Sequence, residues 1–319
     1  MPFFVRPRVD ACLILAACLL WAGFIRAAGA EISGPVAVVY PDVGEPYRAV
    51  FLKIIDGIQA RLRGRVVTLP VGGRSSAQDV AEDLRRQEVR LVIALGRQGF
   101  NIAGGLDPKI PVVVGAVVNA PDAETRSVAV HSLAPDPAML FARLKAFVPE
   151  ARRVFAVVDP ATSGWQIRIA KEMAKAAGLE LVVTEVTDLK AAARAYHSIF
   201  ELADPKRDAI WLLQDPLGAE DSTILPFVLE EGWSRGVPIF SSNLAHVRRG
   251  ALFTLYPDNE ELGKRLGGVA HSVLNGGVGA PGMTPLREVL LAVNQRSAQH
   301  LGISLNPRQQ GIELILPAQ

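Results

Sequence analysis

Cysteine is nearly missing from this 319-residue chain, and the two present, Cys12 and Cys18, both fall within the first thirty residues. The other 289 residues hold none, which excludes disulfides, thiol nucleophiles and thiolate metal sites there. Their fold must rest on its hydrophobic core. Aromatic residues are also sparse, at 6% of the chain with four Trp and four Tyr. After residue 30 no apolar run reaches the length of a membrane span. Excess charge of either sign is absent too. Arg6, Arg8, Arg26 and Asp10 lie in the first thirty residues, so 34 basic and 32 acidic residues become 31 of each beyond them. A neutral balance argues against electrostatic capture of nucleic acid or of an anionic membrane.

What is present begins with residues 1–30. Arg6 and Arg8 precede an apolar run from Ala11 to Ile25, and the triplet Ala28-Gly29-Ala30 follows. A basic start, a short apolar middle and an A-x-A site read as a secretory signal peptide cut after Ala30. The expected localisation is periplasmic. Leu15-Ala16-Ala17-Cys18 is the alternative, a lipobox anchoring the chain by lipid at Cys18, although Leu19–Ile25 would then make a hydrophobic start where a polar tether is expected.

Beyond residue 30 the length exceeds what one core usually serves, so two lobes are expected. Apolar runs Val36–Tyr40, Val66–Pro70, Leu91–Leu95 and Val112–Val117 read as strands, with helices Tyr47–Leu62, Ser76–Gln87 and Arg97–Gly104 between them. The runs do not alternate with polar residues, which is how strands covered on both faces read. The pattern repeats with strands Val154–Val158, Glu180–Thr184, Ala209–Leu213 and Val237–Phe240 and helices Trp165–Ala177, Leu189–Leu202 and Ser222–Arg235. A tail follows: strand Ala251–Tyr256, helix Asn259–Leu274, a Gly/Pro loop Asn275–Pro285, strand Arg287–Val293 and helix Asn294–Leu301. The loop suits either a hinge crossing or a surface turn. The fold class is α/β, two doubly wound parallel-sheet lobes.

Motifs for chemistry are wanting. The five histidines show no HExxH or paired spacing, so no metal site is expected, and no phosphate-binding glycine motif joins a strand to a helix. Gly73-Arg74-Ser75-Ser76-Ala77 approaches a nucleophile elbow but lacks its final glycine, while Ser76 and Asp79 read as a capping box. Asp42, Glu45, Asp159, Asp215, Glu220 and Asp221 all follow expected strands. Ligands of open α/β sheets bind at that edge, although any one such residue serves more often as a cap or turn former. Tyr47, Trp165 and Tyr256 are candidates for a cleft wall, whereas Trp211 and Trp233 read as core.

With export and twin α/β lobes read, the chain resembles the ABC-transporter substrate-binding family of the type I periplasmic binding protein fold, whose relatives bind aromatic amino acids. The resemblance is carried by Leu91–Gly96, Ile110–Val114, Arg153–Val158, Asp215, Gly236–Phe240, Arg249–Leu252, Leu262-Gly263, Leu274-Asn275-Gly276, Val293-Asn294, Ala298 and Leu301-Gly302-Ile303. It implies a first lobe of residues 31–148 plus 251–281 and a second of 149–250 plus 282–319, joined by hinge strands that close on a ligand. It further implies that Asp215 meets a ligand ammonium. Backbone amides after Gly96 and around Ser163-Gly164 suit a carboxylate. Tyr47, Trp165 or Tyr256 could pack on an apolar side chain.

Departures from the family pattern bear on the ligand. Arg97-Gln98-Gly99 stands where the family has a small residue and proline, and an arginine there favours an additional anionic group. Asn119-Ala120-Pro121-Asp122 replaces an Asp-Pro loop, and Ser127–Ser132 replaces a second loop expected to face the ligand. The expectation is a non-enzymatic, monomeric solute-binding protein without cofactor, delivering an amino acid or related small carboxylate to an ABC permease and its ATPase. The alternative is an extracytoplasmic ligand sensor for a signalling partner.

Overall fold

The computed structural model describes residue 1 and residues 35–317 except 63, 65 and 74. Beyond its first residue, the expected leader, with cleavage after Ala30 and the alternative anchor at Cys18, lies outside the described residues.

Residues from Val36 build a six-stranded, wholly parallel sheet in the order β11-β5-β4-β3-β1-β2. Its strands are β1 (Val36–Pro41), β2 (Val66–Val71), β3 (Leu91–Leu95), β4 (Val112–Val117), β5 (Ala129–Pro135) and β11 (Gly282–Leu286). Helices α1 (Tyr47–Leu62), α2 (Ala77–Arg86), α3 (Gly96–Ala103) and α4 (Asp122–Thr125) connect the first five strands. All five residues of β3 are buried, as its unbroken apolar run requires of a central strand. The capping box at Ser76 and Asp79 forms as read, and Ser75 turns its hydroxyl back to the Gly72 N–H.

The second sheet has seven strands in the order β13-β12-β10-β9-β8-β6-β7, parallel except where β10 meets β12. Its strands are β6 (Arg153–Val158), β7 (Glu180–Glu185), β8 (Asp208–Leu212), β9 (Ile239–Ser241), β10 (Phe253–Pro257), β12 (Val289–Asn294) and β13 (Ile312–Leu316). Around it pack α5 (Pro137–Phe147), α6 (Pro160–Ala176), α7 (Leu189–Leu202), α8 (Ile224–Arg235), α9 (Leu244–Arg249), α11 (Gln295–His300) and α12 (Pro307–Gln310). Asp136 and Asp159 cap α5 and α6, each followed by a proline whose missing N–H costs nothing in a first turn. The core stacks Trp211, Phe240 and Phe253 with Phe141 edge-on. Trp233, expected to be core like Trp211, is instead 48% exposed and lies flat on His300.

The chain crosses between the sheets three times, and not at the expected positions. The first crossing falls at Asp136, after β5, rather than at 148, because α5 packs on α6. The second falls at Asp258, since β10 joins the second sheet; only then does the long helix α10 (Asn259–Leu274) return to pack on α1. The third falls at Arg287-Glu288, since the tail of the Gly/Pro loop pairs with β5 as edge strand β11. An edge position tolerates Pro285, where the pairing slips between Thr284 and Leu286. Backbone bonds from Asp136 N–H to Leu286 O (2.8 Å) and from Asp258 N–H to Glu288 O (2.9 Å) hold the crossings side by side.

Candidate functional site

In both sheets the strand order reverses beside the first strand, between β1 and β3 and between β6 and β8, and crevices in such sheets open at the carboxyl ends there. A cleft of about 750 Å³ lies at those ends. Arg97 and Ala116–Asn119 line it from the first sheet, and Thr162, Gln214–Pro216, Ala219–Asp221, Asn243 and His246 from the second. Ala116 has φ +57°, and the pairing of β4 with β5 slips between Gly115 and Val117. A bulge of this kind re-aims the strand end, here carrying Val118 and Asn119 into the cleft.

Asn119 ties the two walls together. Its Nδ2 donates to Gln214 O at 3.2 Å, and its Oδ1 accepts from Trp165 Nε1 at 2.9 Å. Arg97 donates to Glu124 Oε2 at 2.6 Å and to Asn119 O at 2.7 Å, with its guanidinium over the Phe100 ring. These bonds use two of the five N–H groups that a guanidinium carries.

Asp215 is buried and fully engaged within its own lobe. One carboxylate oxygen accepts from Asp159 N–H at 3.0 Å and Ser163 Oγ–H at 2.6 Å; the other accepts from Leu217 N–H at 3.0 Å and Gly218 N–H at 2.7 Å. Four donors fill the lone pairs a carboxylate offers. Its expected part as the partner of a ligand ammonium is therefore corrected: it shapes the loop. Glu220 spends its carboxylate on the start of α8, where bonds from the Ser222 hydroxyl and then the Ser222 and Thr223 N–H groups pull its pKa down to about 2. Asp221 accepts from Arg249 at 3.2 Å.

His246 is the buried imidazole of the second wall. It is 3% exposed, and its Nδ1 lies 2.8 Å from Ser241 Oγ. Burial above all lowers its pKa to about 4, with Arg249 acting the same way and Asp221 opposing. The Ser241–His246 contact is not a nucleophile–base pair. Ser241 is fully buried, and its hydroxyl proton goes to Leu212 O at 3.0 Å.

Of the residues singled out by sequence, Arg97, Asn119, Asp215, Glu220 and Asp221 line the cleft. Asp159, Ser163 and Trp165 stand behind it, held by Asp215 and Asn119; Asp159 itself caps α6, and Ser163 gives its hydroxyl to Asp215. Gly96 makes the left-handed turn into α3 at φ +68°, where a Cβ would press on Pro41 and Phe51, and neither it nor exposed Gln98 lines the cleft. Asp42 lines a separate hollow over β2, with Gly72 and Asp79. Tyr47, 69% exposed, and Tyr256, half-buried at the end of β10, also lie off the cleft lining. The stretch 127–132 runs into β5 rather than forming a ligand loop. Sequence reasoning did not single out Thr162, Gln214, Asn243 or His246. The available signal was position, since each follows the end of a strand of the second sheet.

The sequence profile of the ABC transporter substrate binding proteins matches residues 72–309. The chain belongs to this family. Among curated proteins none matches the sequence. Several solved structures share the fold. One is the ligand-free, open structure of a substrate binding protein with adhesive properties from Clostridium difficile, 18% identical over 88% of this chain and 98% of that one, with a TM-score of 0.65. Another is the ABC domain from Streptococcus pneumonia in complex with L-Trp, 20% identical over 89% of this chain and 100% of that one, TM-score 0.54. A third, a conserved domain protein from Vibrio cholerae, is 17% identical over 88% and 99% of the two chains, TM-score 0.53. The architecture of this substrate-binding family member is the type I periplasmic binding protein fold, two lobes of mostly parallel sheet joined by three crossings. Among the described residues no helix is long and apolar enough to cross a membrane, and no group of three or more His, Asp or Glu could hold a metal ion.

Proposed function

We propose that this protein is the solute-binding component of an ABC importer, exported by its leader and working as a soluble monomer in the periplasm. It captures an amino acid or related small carboxylate between its lobes and delivers it to a membrane permease driven by an ATPase. It carries out no chemistry on the ligand. The observation that carries this reading is the cleft itself: polar side chains of both lobes converge at the carboxyl ends of both sheets. A ligand that touches both walls favours the closed arrangement by its differential contacts, and closure offers the permease a distinct surface.

Arg97 is the anion-binding group in this reading, because its guanidinium retains N–H donors beyond those given to Glu124 and Asn119. Helix α3 supports it, since no side chain caps its first turn. Asn119 carries the contact from one wall to the other, and Asp215 positions the loop beneath.

A thermal-shift screen of the protein against amino acids, hydroxy acids, simple carboxylates and sugars tests the reading. A true ligand at 100 times its dissociation constant raises stability by about 2.7 kcal/mol. Arg97→Ala should weaken every carboxylate hit by about tenfold or more. Hits confined to neutral sugars, or carboxylate hits indifferent to Arg97→Ala, would overturn the assignment.

A further inference from the structure

Three groups converge on Ser241 Oγ: Leu212 O at 3.0 Å, Asn243 N–H at 2.9 Å and His246 Nδ1 at 2.8 Å. The hydroxyl has one proton and two lone pairs. Leu212 O can only accept; it takes the Ser242 N–H at 2.9 Å on one lone pair, and we place the Ser241 proton on the other. Asn243 N–H can only donate, so it takes one lone pair. The contact with Nδ1 is then a hydrogen bond only if Nδ1 carries the imidazole proton. With the proton so placed, Nε2 holds a bare lone pair. Among the described residues Nε2 has no hydrogen-bond partner, yet the residue lines the cleft.

Asn243 supplies the complement. Its Oδ1 accepts from Ala245 N–H at 2.9 Å, which sets the amide orientation and leaves the Nδ2 donors for the cleft it also lines. An acceptor and a donor therefore stand one helical turn apart. A hydroxyl group both donates and accepts, and so fits the pair. An ammonium group has no lone pair to accept the Asn243 donor, and of the nearby carboxylates Asp215 and Glu220 are each filled by four donors, while exposed Asp221 gives only its Oδ1 to Arg249.

We propose that His246 is the specificity-determining acceptor of the cleft, and that with Asn243 it selects a small hydroxycarboxylate over the matching amino acid or unsubstituted acid. The proposal rests on the solute-binding reading above, with Arg97 opposite taking the carboxylate.

Isothermal titration with matched probes tests it: L-malate against succinate and L-aspartate, L-lactate against propionate and L-alanine, and D-ribose as a hydroxylated probe with no carboxylate. The hydroxy acid of at least one series should bind about tenfold tighter than its two partners, the usual effect of one well-placed hydrogen bond in a buried site. His246→Asn keeps a donor toward Ser241 but ends its acceptor, Oδ1, short of the position that Nε2 holds. It should erase that preference while leaving the urea midpoint near that of the unsubstituted protein. His246→Gln, which restores an acceptor further out, should recover part of it. In 15N-histidine NMR spectra, His246 should show the Nδ1–H tautomer, with Nε2 shifting when the hydroxy acid is added. Equal affinities within each series, a preference that survives His246→Asn, or an Nε2–H tautomer would overturn the proposal and leave the solute-binding reading standing. Binding of D-ribose alone would overturn the carboxylate reading, and with it this inference. No binding by any probe would overturn this inference and leave the solute-binding reading to the wider screen.

Discussion

Asp215 illustrates how a residue can stand at the right place with a different task. Its carboxylate draws together the starts of two loops, from Asp159 and Ser163 on one side and from Leu217 and Gly218 on the other. Replacing it by alanine leaves four donors without their acceptor in a buried loop, at about 1–3 kcal/mol for each that water cannot reach. Asp215→Ala should therefore cost about 3 kcal/mol or more in urea titration, with no ligand present. A midpoint within error of the parent protein would refute the organising role. The position was legible in the sequence because a carboxylate just after a strand marks the ligand edge of an α/β sheet. The task was not, since two of the four donors come from residues 52 and 56 positions away. His246 was hidden for a related reason. Nothing in its neighbours distinguishes it from a surface histidine until the turn after β9 folds it back onto Ser241.

At the scale of elements, helices with an apolar face and polar ends were legible to the residue: Tyr47–Leu62, Leu189–Leu202 and Asn259–Leu274 stand as read. What escaped were segments whose identity comes from pairing. Strand β11 contains Gly282 and Pro285, which speak for a loop, and it exists because β5 offers it an edge. Strand β5, helix α5 and strand β13 were not read as elements at all, although β5 and β13 complete the two sheets. Helix pairing adds a constraint of its own. α10 lies so close on α1 that a Cβ at Gly263 would sit 2.0 Å from Ile54 O and 2.9 Å from Gly57 Cα. Backbone cannot swing aside as a side chain can, so the helices must part. Gly263→Ala should destabilise by about 2–3 kcal/mol, typical of overpacking. Gly268→Ala on the same helix meets only Arg61 Nε at 3.7 Å and should be neutral or stabilising by up to about 1 kcal/mol. Equal urea midpoints for the two variants would contradict this account of the contact.

For the whole molecule, the crossings carry the charges that matter. Arg287 donates to Asp136 at 2.8 Å, joining the first crossing to the third, and Arg265 of α10 reaches Glu288 at 3.2 Å. Next to that pair lies His131 of β5, both ring nitrogens buried without a partner. Burial first, then Arg265, pushes its pKa down to about 4, while Glu288 pulls the other way. His246 in the cleft is lowered to about 4 as well, again chiefly by burial. Both are neutral in the folded protein, whereas the unfolded chain takes their protons near pH 6.5. Between pH 6.5 and about 4 the unfolded state therefore binds more protons, and stability falls as pH falls through that window. A shift of this size is worth about 3 kcal/mol for each histidine, most of it lost by pH 4.5. Glu220, held down to about 2 by its donors, gives up its own contribution mainly below about pH 4.5, its unfolded-state value, and so adds little to this drop. Urea midpoints should drop steeply from pH 7 to pH 4.5. His131→Gln should remove about half of the drop, and the pair His131→Gln with His246→Asn nearly all of it. A midpoint that holds level across this range would show that both rings accept their protons as readily in the fold as outside it, and that the neutral imidazole assigned to the cleft wall is wrong.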